Sequence, residues 1–95
     1  MPEVRFTLRW PDGSEDVCYS PSTVITRFFT VGESYALPDF LTRARIGYEK
    51  ASMRVAERYG YACTAAMAEL DRLEARAAAF EGQEGATIAC TAMSQ

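Results

Sequence analysis

The most chemically dense stretch of the sequence is residues 18–23 (CYSPST), which places a thiol, a phenol and three hydroxyls side by side. Covalent catalysis by a cysteine or a serine usually needs a neighbouring base, most often histidine, that takes the proton from the attacking group. The chain contains no histidine. We therefore favour a structural role for this stretch, in which it ends a strand and begins a helix, over a role as a reaction centre.

The three cysteines, Cys18, Cys63 and Cys90, form neither a CxxC pair nor a zinc-like spacing with histidine partners. Reduced thiols that pack as small hydrophobic side chains are the simpler interpretation. The alternative is a thiol-based sensor of a ligand or metal, which requires an exposed thiol with a lowered pKa. Both interpretations stay open at this stage.

The acidic residues do not form an evident catalytic set. Glu15 and Asp16 are neighbours on a predicted strand and so point to opposite faces, while the acids of the second long helix alternate with arginines as on a solvated, ion-paired surface. A cleft beside Glu33 and Tyr35 is the remaining place for an enzyme, and it offers no partner base. We expect no catalytic residue, no cofactor and no metal, and we predict that the protein is not an enzyme.

Four basic residues share one side of the predicted first long helix: Arg43, Lys50, Arg54 and Arg58. At 100° per residue they fall within about 80° of one another. The plainer interpretation is a solvated flank whose long stems cover apolar surface. The alternative is a docking strip for an acidic partner protein or a small anionic ligand, because arginine suits carboxylate and phosphate groups.

Two apolar residues of the same helix, Ile46 and Met53, lie away from its main apolar stripe. They either face the second long helix or form an exposed apolar patch that a partner would cover. The second alternative is the best indication of a protein interface in the sequence.

The elements that position these residues begin with a predicted β-hairpin. Residues 4–9 alternate apolar and polar side chains, which is typical of a half-buried strand. Residues 10–14 (WPDGS) contain a proline and a glycine in the order that a tight turn with a bulge requires. The resulting register pairs Arg9 with Glu15 and places Cys18 opposite Phe6 on the buried face.

A short helix is predicted after Ser20 and Pro21, followed by a loop at residues 30–36. Helical periodicity then runs from residue 37 to Gly60 and from about residue 61 to residue 80, which indicates an antiparallel helical hairpin. A single long helix kinked at the glycine, in a swapped dimer, is the alternative. Residues 86–92 alternate again and predict a third strand.

These elements predict an α+β fold: an N-terminal β-hairpin, a short helix, an antiparallel helical hairpin and a C-terminal strand, in a two-layer domain with a three-stranded sheet. The 95 residues fit a single domain, 1–95. The formal net charge of −3 argues against general attraction to nucleic acid or to an anionic membrane. With no signal sequence or membrane span evident, we expect a cytoplasmic protein.

Three segments, MPEVRFTLRWPDGSEDVCYSPSTVI, GESYALPDFLTRAR and ERYGYACTAAMAELDRLEAR, together resemble a family of small bacterial nitrogen-starvation-response proteins encoded in nitrilase-containing gene clusters. The likeness runs from Met1 to about Ala79. The resemblance implies a gene cluster that also encodes a nitrilase, a radical S-adenosylmethionine protein, an acetyltransferase-like protein and a flavin-dependent oxidoreductase. Clusters of this kind are linked to the assimilation of nitrogen from nitriles or cyanide. The resemblance supplies a context and no catalytic residue.

The function predicted from the sequence is therefore a non-catalytic interaction or accessory module of such a pathway, active in the nitrogen-starvation response. We expect it to form a homo-oligomer and to bind a protein encoded in the same cluster, with no nucleic-acid or membrane partner. The predicted interaction residues are Ile46, Met53, Arg43, Lys50, Arg54 and Arg58.

Overall fold

The computed structural model describes residues 3–60 and 64–95. Its elements, in chain order, are β1 (Val4–Arg9), β2 (Glu15–Ser20), a 3-10 helix (Thr23–Arg27), β3 (Ser34–Ala36), α1 (Leu37–Tyr59), α2 (Thr64–Ala78) and β4 (Thr87–Ser94). The strands form one antiparallel sheet in the order β2-β1-β4-β3. The α+β class predicted from the sequence is confirmed.

The predicted three-stranded sheet is wrong, because the sheet has a fourth strand. β3 lies inside the segment 30–36 that the sequence analysis assigned to a loop, and it pairs with β4 so that Tyr35 lies opposite Ile88. The strand is three residues long and buries one side chain, that of Tyr35. A run this short offers a single alternation, which is too little for a period-two pattern to be recognised.

The predicted hairpin register is confirmed. Phe6 pairs with Cys18 and Arg9 pairs with Glu15 across β1 and β2. In the connecting loop the Trp10 amide donates to the Ser14 carbonyl at 2.8 Å. Gly13 adopts a φ of 87°, a left-handed conformation that glycine tolerates best.

Helix α1 begins and ends where the sequence indicates. Pro38 and Asp39 occupy its first turn, where the missing amide of proline is harmless and the acid favours the positive end of the helix dipole. Gly60 follows the helix with a φ of 80°, and its amide donates to the Ala56 carbonyl at 2.8 Å. This left-handed residue ends α1 and excludes a helix that continues unbroken through Gly60.

The core lies between one face of the sheet and the two helices. The inward side chains of β1, including Phe6, are fully buried, while the outward Arg5 and Arg9 are exposed. Stacked and tilted rings connect the layers, with Phe29 at 5.6 Å from both Phe6 and Phe40 between ring centroids. Such ring contacts stabilise a core beyond the burial of their area.

The two helices run in opposite directions, as the sequence analysis predicted. Arg45, in the first half of α1, donates to Glu74, in the second half of α2, at 2.8 Å. Helix α2 also covers the edge of β2, because the Glu69 carboxylate accepts the Tyr19 backbone amide at 2.8 Å. An edge strand whose backbone groups are occupied in this way is protected from pairing with another chain.

Within the described residues, neither helix combines the length and the apolar character that crossing a membrane would require.

Candidate functional site

The CYSPST stretch has the structural role that the sequence analysis favoured. Cys18 ends inside the core with no solvent exposure, and its thiol lies 3.7 Å from the Asp16 carbonyl. The Ser20 hydroxyl donates to the Ser22 carbonyl at 2.8 Å. Ser22 caps the 3-10 helix, since its hydroxyl oxygen accepts the Val24 amide at 3.2 Å. The hydroxyls therefore organise the passage from β2 into the 3-10 helix.

The two described cysteines, Cys18 and Cys90, are buried, which disfavours the reactive thiolate form. Burial raises the pKa of Cys18 to about 12, and this effect outweighs the nearby Arg72 guanidinium, which favours the thiolate. Burial also raises the pKa of Cys90. The predicted position Cys63 lies outside the described residues. The described ranges contain no cluster of three or more metal-ligating side chains, and neither Cys18 nor Cys90 has the exposed, activated thiol that a sensor needs.

The carboxylate of Asp16 is held in a structural network. Its carboxylate accepts from the Trp10 indole and from Arg76, each at 2.8 Å, and pairs with Arg72 at 3.4 Å. Burial alone would raise the pKa of Asp16, but the hydrogen bonds from Arg76 and Trp10 and the two positive charges lower it below its usual value. A carboxylate so engaged joins α2 to the hairpin and is a poor proton acceptor.

Arg43 separates from the other members of the predicted basic strip. Its guanidinium pairs with Asp39 at 2.9 Å, donates to the Phe28 carbonyl at 3.0 Å and lies 4.7 Å from the centre of the Tyr35 ring. Hydrogen bonding to Asp39 raises the pKa of Arg43. These contacts tie α1 to the segment before β3, so Arg43 is part of the framework.

The remaining members, Lys50, Arg54 and Arg58, are exposed and form no hydrogen bond or ion pair with another residue of the described ranges. They line a groove between the 3-10 helix and the C-terminal half of α1, which we call the α1 groove. The structure thus brings three of the four predicted cations to one surface feature.

Helix α1 and the 3-10 helix approach each other closely at Gly47. A Cβ atom at this position would lie 2.7 Å from Ile25 Cδ1 and 3.2 Å from the Phe28 ring. Any larger residue would therefore force the Ile25 and Phe28 side chains to shift. An isolated glycine inside a helical pattern often has such a packing reason.

Two neighbouring pockets of about 210 Å³ each make up the α1 groove. The serine pocket lies between residues 21–23 and residues 54–59. The methionine pocket is lined by Val24, Arg27, Lys50 and Met53, and the two pockets share Arg54 and Glu57.

The charge of the α1 groove is opposite to that of the whole chain. Of the ten basic residues of the sequence, six pair with carboxylates elsewhere in the structure. The four others, among the residues that the structure describes, are Arg27, Lys50, Arg54 and Arg58, and all four line the α1 groove against a single acid, Glu57. The unpaired positive charge of an acidic protein is thus concentrated at one place.

Ile46 and Met53 are exposed to solvent, so they are not buried against α2, and the interface predicted for them stays a prediction. Their relative exposures are 40% and 54%. Met53 lines the methionine pocket, and Ile46 lies two turns earlier on the same side of α1. Ile46, Lys50, Met53 and Arg54 form a surface that we call the α1 strip.

The second wall of the α1 groove is not evident from the sequence. Arg27 and the residues 21–24 lie on or beside the predicted short helix, but their meeting with α1 depends on tertiary packing. The available signal was Gly47, a small residue on the buried stripe of α1 that indicates where another segment approaches.

Comparison with known protein families identifies a matching family. A family model described as "Nitrogen starvation-induced protein NitG" matches residues 5–93, a range that includes both walls of the α1 groove. No curated protein and no solved structure matches the chain significantly.

Proposed function

We propose that this chain, which belongs to the NitG family of nitrogen starvation-induced proteins, is a non-catalytic accessory module that binds another protein when nitrogen is scarce. The proposed partner is a protein encoded in the same nitrilase-containing gene cluster, in a pathway that assimilates nitrogen from nitriles or cyanide. The family supports the physiological setting, and the α1 strip supports the binding role.

The observation that carries the proposal is the pairing of exposed apolar side chains with unpaired positive charge. Met53 is 54% exposed between Lys50 and Arg54, neither of which has a carboxylate partner within the described part of the chain. Apolar side chains surrounded by a charged rim are typical of protein interfaces, and the charges guide the choice of partner. A partner that fits this surface has an apolar patch bordered by aspartate and glutamate.

A protein partner fits better than nucleic acid. The net charge of −3 opposes approach to a phosphate backbone. Nucleic-acid surfaces also offer little that would cover Ile46 and Met53, whereas a protein surface supplies apolar side chains of matching size.

A role other than catalysis is supported by how the reactive groups are used. The CYSPST hydroxyls hold the start of the 3-10 helix, and the Asp16 carboxylate accepts two hydrogen bonds and forms an ion pair with Arg72. Neither set is arranged as an acid–base pair around a site where a substrate could react.

Affinity purification from nitrogen-starved cells tests the proposal. We expect wild-type protein to recover a product of its own gene cluster, and Ile46→Glu with Met53→Glu to lose it. Met67→Glu is the matched control, because Met67 is exposed to 40% on the other long helix. Recovery of the chain alone, or of the same cluster protein with the double variant, would overturn the proposal.

Self-association remains a prediction of its own. The chain mass is 10.5 kDa, so light scattering of the purified protein separates a monomer from a dimer directly. A monomer across the micromolar range would remove the homo-oligomer while leaving the binding role of the α1 strip to be decided by the purification experiment.

A further inference from the structure

We propose that the serine pocket is a binding site for a small organic carboxylate. The site is separate from the apolar part of the α1 strip, because Ile46 and Met53 do not line the serine pocket. It would give the protein a small-molecule ligand in addition to a protein partner.

The anion-binding side of the serine pocket is formed by Arg54 and Arg58. The two residues are one helical turn apart and both line the pocket, so their guanidinium groups lie near each other on one wall. Neither Arg54 nor Arg58 pairs with an acid of the described residues. In contrast, Arg43 and Arg45 of α1 and Arg76 of α2 all form ion pairs. Two unpaired arginine forks are the side chains best suited to bind a carboxylate with two hydrogen bonds each.

The position of Arg58 has a simpler explanation, which does not extend to Arg54. Arg58 lies in the last turn of α1, where a positive charge favours the negative end of the helix dipole. Arg54 lies a full turn earlier, and Arg27 comes from a different element and lines the adjoining pocket. The accumulation of cations therefore follows the α1 groove rather than the helix end.

The opposite wall of the serine pocket adds hydroxyl donors. The Ser22 oxygen accepts the Val24 amide, so the Ser22 hydroxyl hydrogen remains available for a ligand acceptor. Thr23 also lines the pocket. Its backbone carbonyl accepts a hydrogen bond from the Thr26 hydroxyl, while the Thr23 hydroxyl makes no hydrogen bond within the described residues. Hydroxyls facing guanidinium groups complete a polar end for a carboxylate.

The rest of the lining favours an organic ligand over an inorganic anion. Pro21 and Val55 are buried residues whose side chains line the pocket beside the polar groups. A pocket of about 210 Å³ corresponds to roughly seven water volumes, which suits a short carbon skeleton. Glu57, the single acid of the lining, disfavours multiply charged anions such as phosphate. A carboxylate with a short apolar chain fits all of these features.

Titration of the full chain by amide NMR tests the proposal, with butyrate as the probe and butyramide as its uncharged counterpart. We expect saturable shifts at Ser22, Thr23 and residues 54–59, and binding of butyramide weaker by about tenfold or more. Arg58→Ala should weaken butyrate binding about tenfold, whereas Arg45→Ala, which removes an exposed arginine paired with Glu74, should leave it unchanged.

Thr23→Val provides a second variant that preserves shape and removes one hydroxyl, and we expect a loss of about threefold to tenfold with an unchanged melting temperature. Equal binding of butyramide, equal effects of the Arg45 and Arg58 variants, or inorganic phosphate binding as tightly as butyrate would each overturn the proposal. The double variant Ile46→Ser with Met53→Ser, which removes the apolar side chains of the α1 strip without adding a carboxylate beside Arg54, should lose the partner and retain butyrate binding. Failure of the partner experiment and failure of the ligand experiment are therefore distinguishable.

Discussion

Replacement of Cys18 distinguishes a structural thiol from a reactive one. The side chain is fully buried opposite Phe6, so Cys18→Ala removes one sulfur atom from a packed site. The lost transfer free energy is about 0.8–1 kcal/mol. A cavity of roughly 20 Å³ adds about 0.5 kcal/mol. We expect the free energy of unfolding to fall by about 1–1.5 kcal/mol, or the melting temperature by about 4–10 °C.

Cys18→Ser tests the same site with a polar atom. The hydroxyl enters apolar surroundings, at a cost of about 1–3 kcal/mol when it is unpaired. The Asp16 carbonyl, 3.7 Å from the present sulfur, offers an acceptor at the edge of its reach, which places the expected cost in the lower half of that range. Serine should therefore be at least as destabilising as alanine.

Urea unfolding followed by tryptophan fluorescence measures both variants, because the chain has a single tryptophan, the buried Trp10. Thiol labelling with peptide mapping provides the chemical readout. With the pKa of Cys18 at about 12, roughly one thiol in ten thousand is ionised at pH 8, so labelling should require unfolding. A serine variant as stable as wild type, or rapid labelling of native Cys18, would refute the structural interpretation.

Two further predictions concern the pH dependence of the Asp16 network and the packing at Gly47. Because the folded pKa of Asp16 lies below 3.8, its stabilisation is present at neutral pH and is lost as the pH falls through that folded value. Asp16→Asn should therefore lower stability by about 1–2 kcal/mol at pH 7, with the difference from wild type narrowing below about pH 3.8 in denaturant titrations. An unchanged difference at low pH would contradict this. Gly47→Ala gains helix propensity of about 1 kcal/mol but crowds Ile25, at about 1–3 kcal/mol. We expect no net gain in melting temperature, together with amide shifts in residues 23–27, and a clear stabilisation would show that the walls are not in close contact.

The hairpin could be predicted in detail because its information is local. The WPDGS turn fixes the loop length, and the alternation of β1 then decides which partner each residue of β2 meets, including Phe6 opposite Cys18. The limits of α1 were equally local, since Pro38 and Gly60 have conformational preferences of their own.

The fourth strand could not be predicted because its stability comes from a distant segment. Tyr35 is held by pairing with Ile88 and by its hydroxyl, which accepts the Thr30 amide at 2.8 Å. A three-residue strand contains too few side chains to specify itself. β4, which supplies the pairing, is more than fifty residues away in sequence.

The α1 side of the candidate site could be predicted from the sequence, but the side formed by the 3-10 helix could not. The basic and apolar residues of α1 follow from helical periodicity, which placed Lys50, Arg54 and Met53 on one side of the helix. Periodicity within one helix does not say which cations will find carboxylate partners. Arg43 finds one at Asp39, while Arg27 joins the unpaired set through packing that only the folded chain reveals.

Amide hydrogen exchange of the chain, alone and bound to the protein recovered from its gene cluster, locates the docking surface. If the partner docks on the α1 strip, we expect new protection in the 3-10 helix and in residues 46–58 of α1, with little change in α2 around the control residue Met67. Protection confined to α2 or to the outward face of the sheet, with residues 46–58 unchanged, would contradict the assignment of the α1 strip as the docking surface.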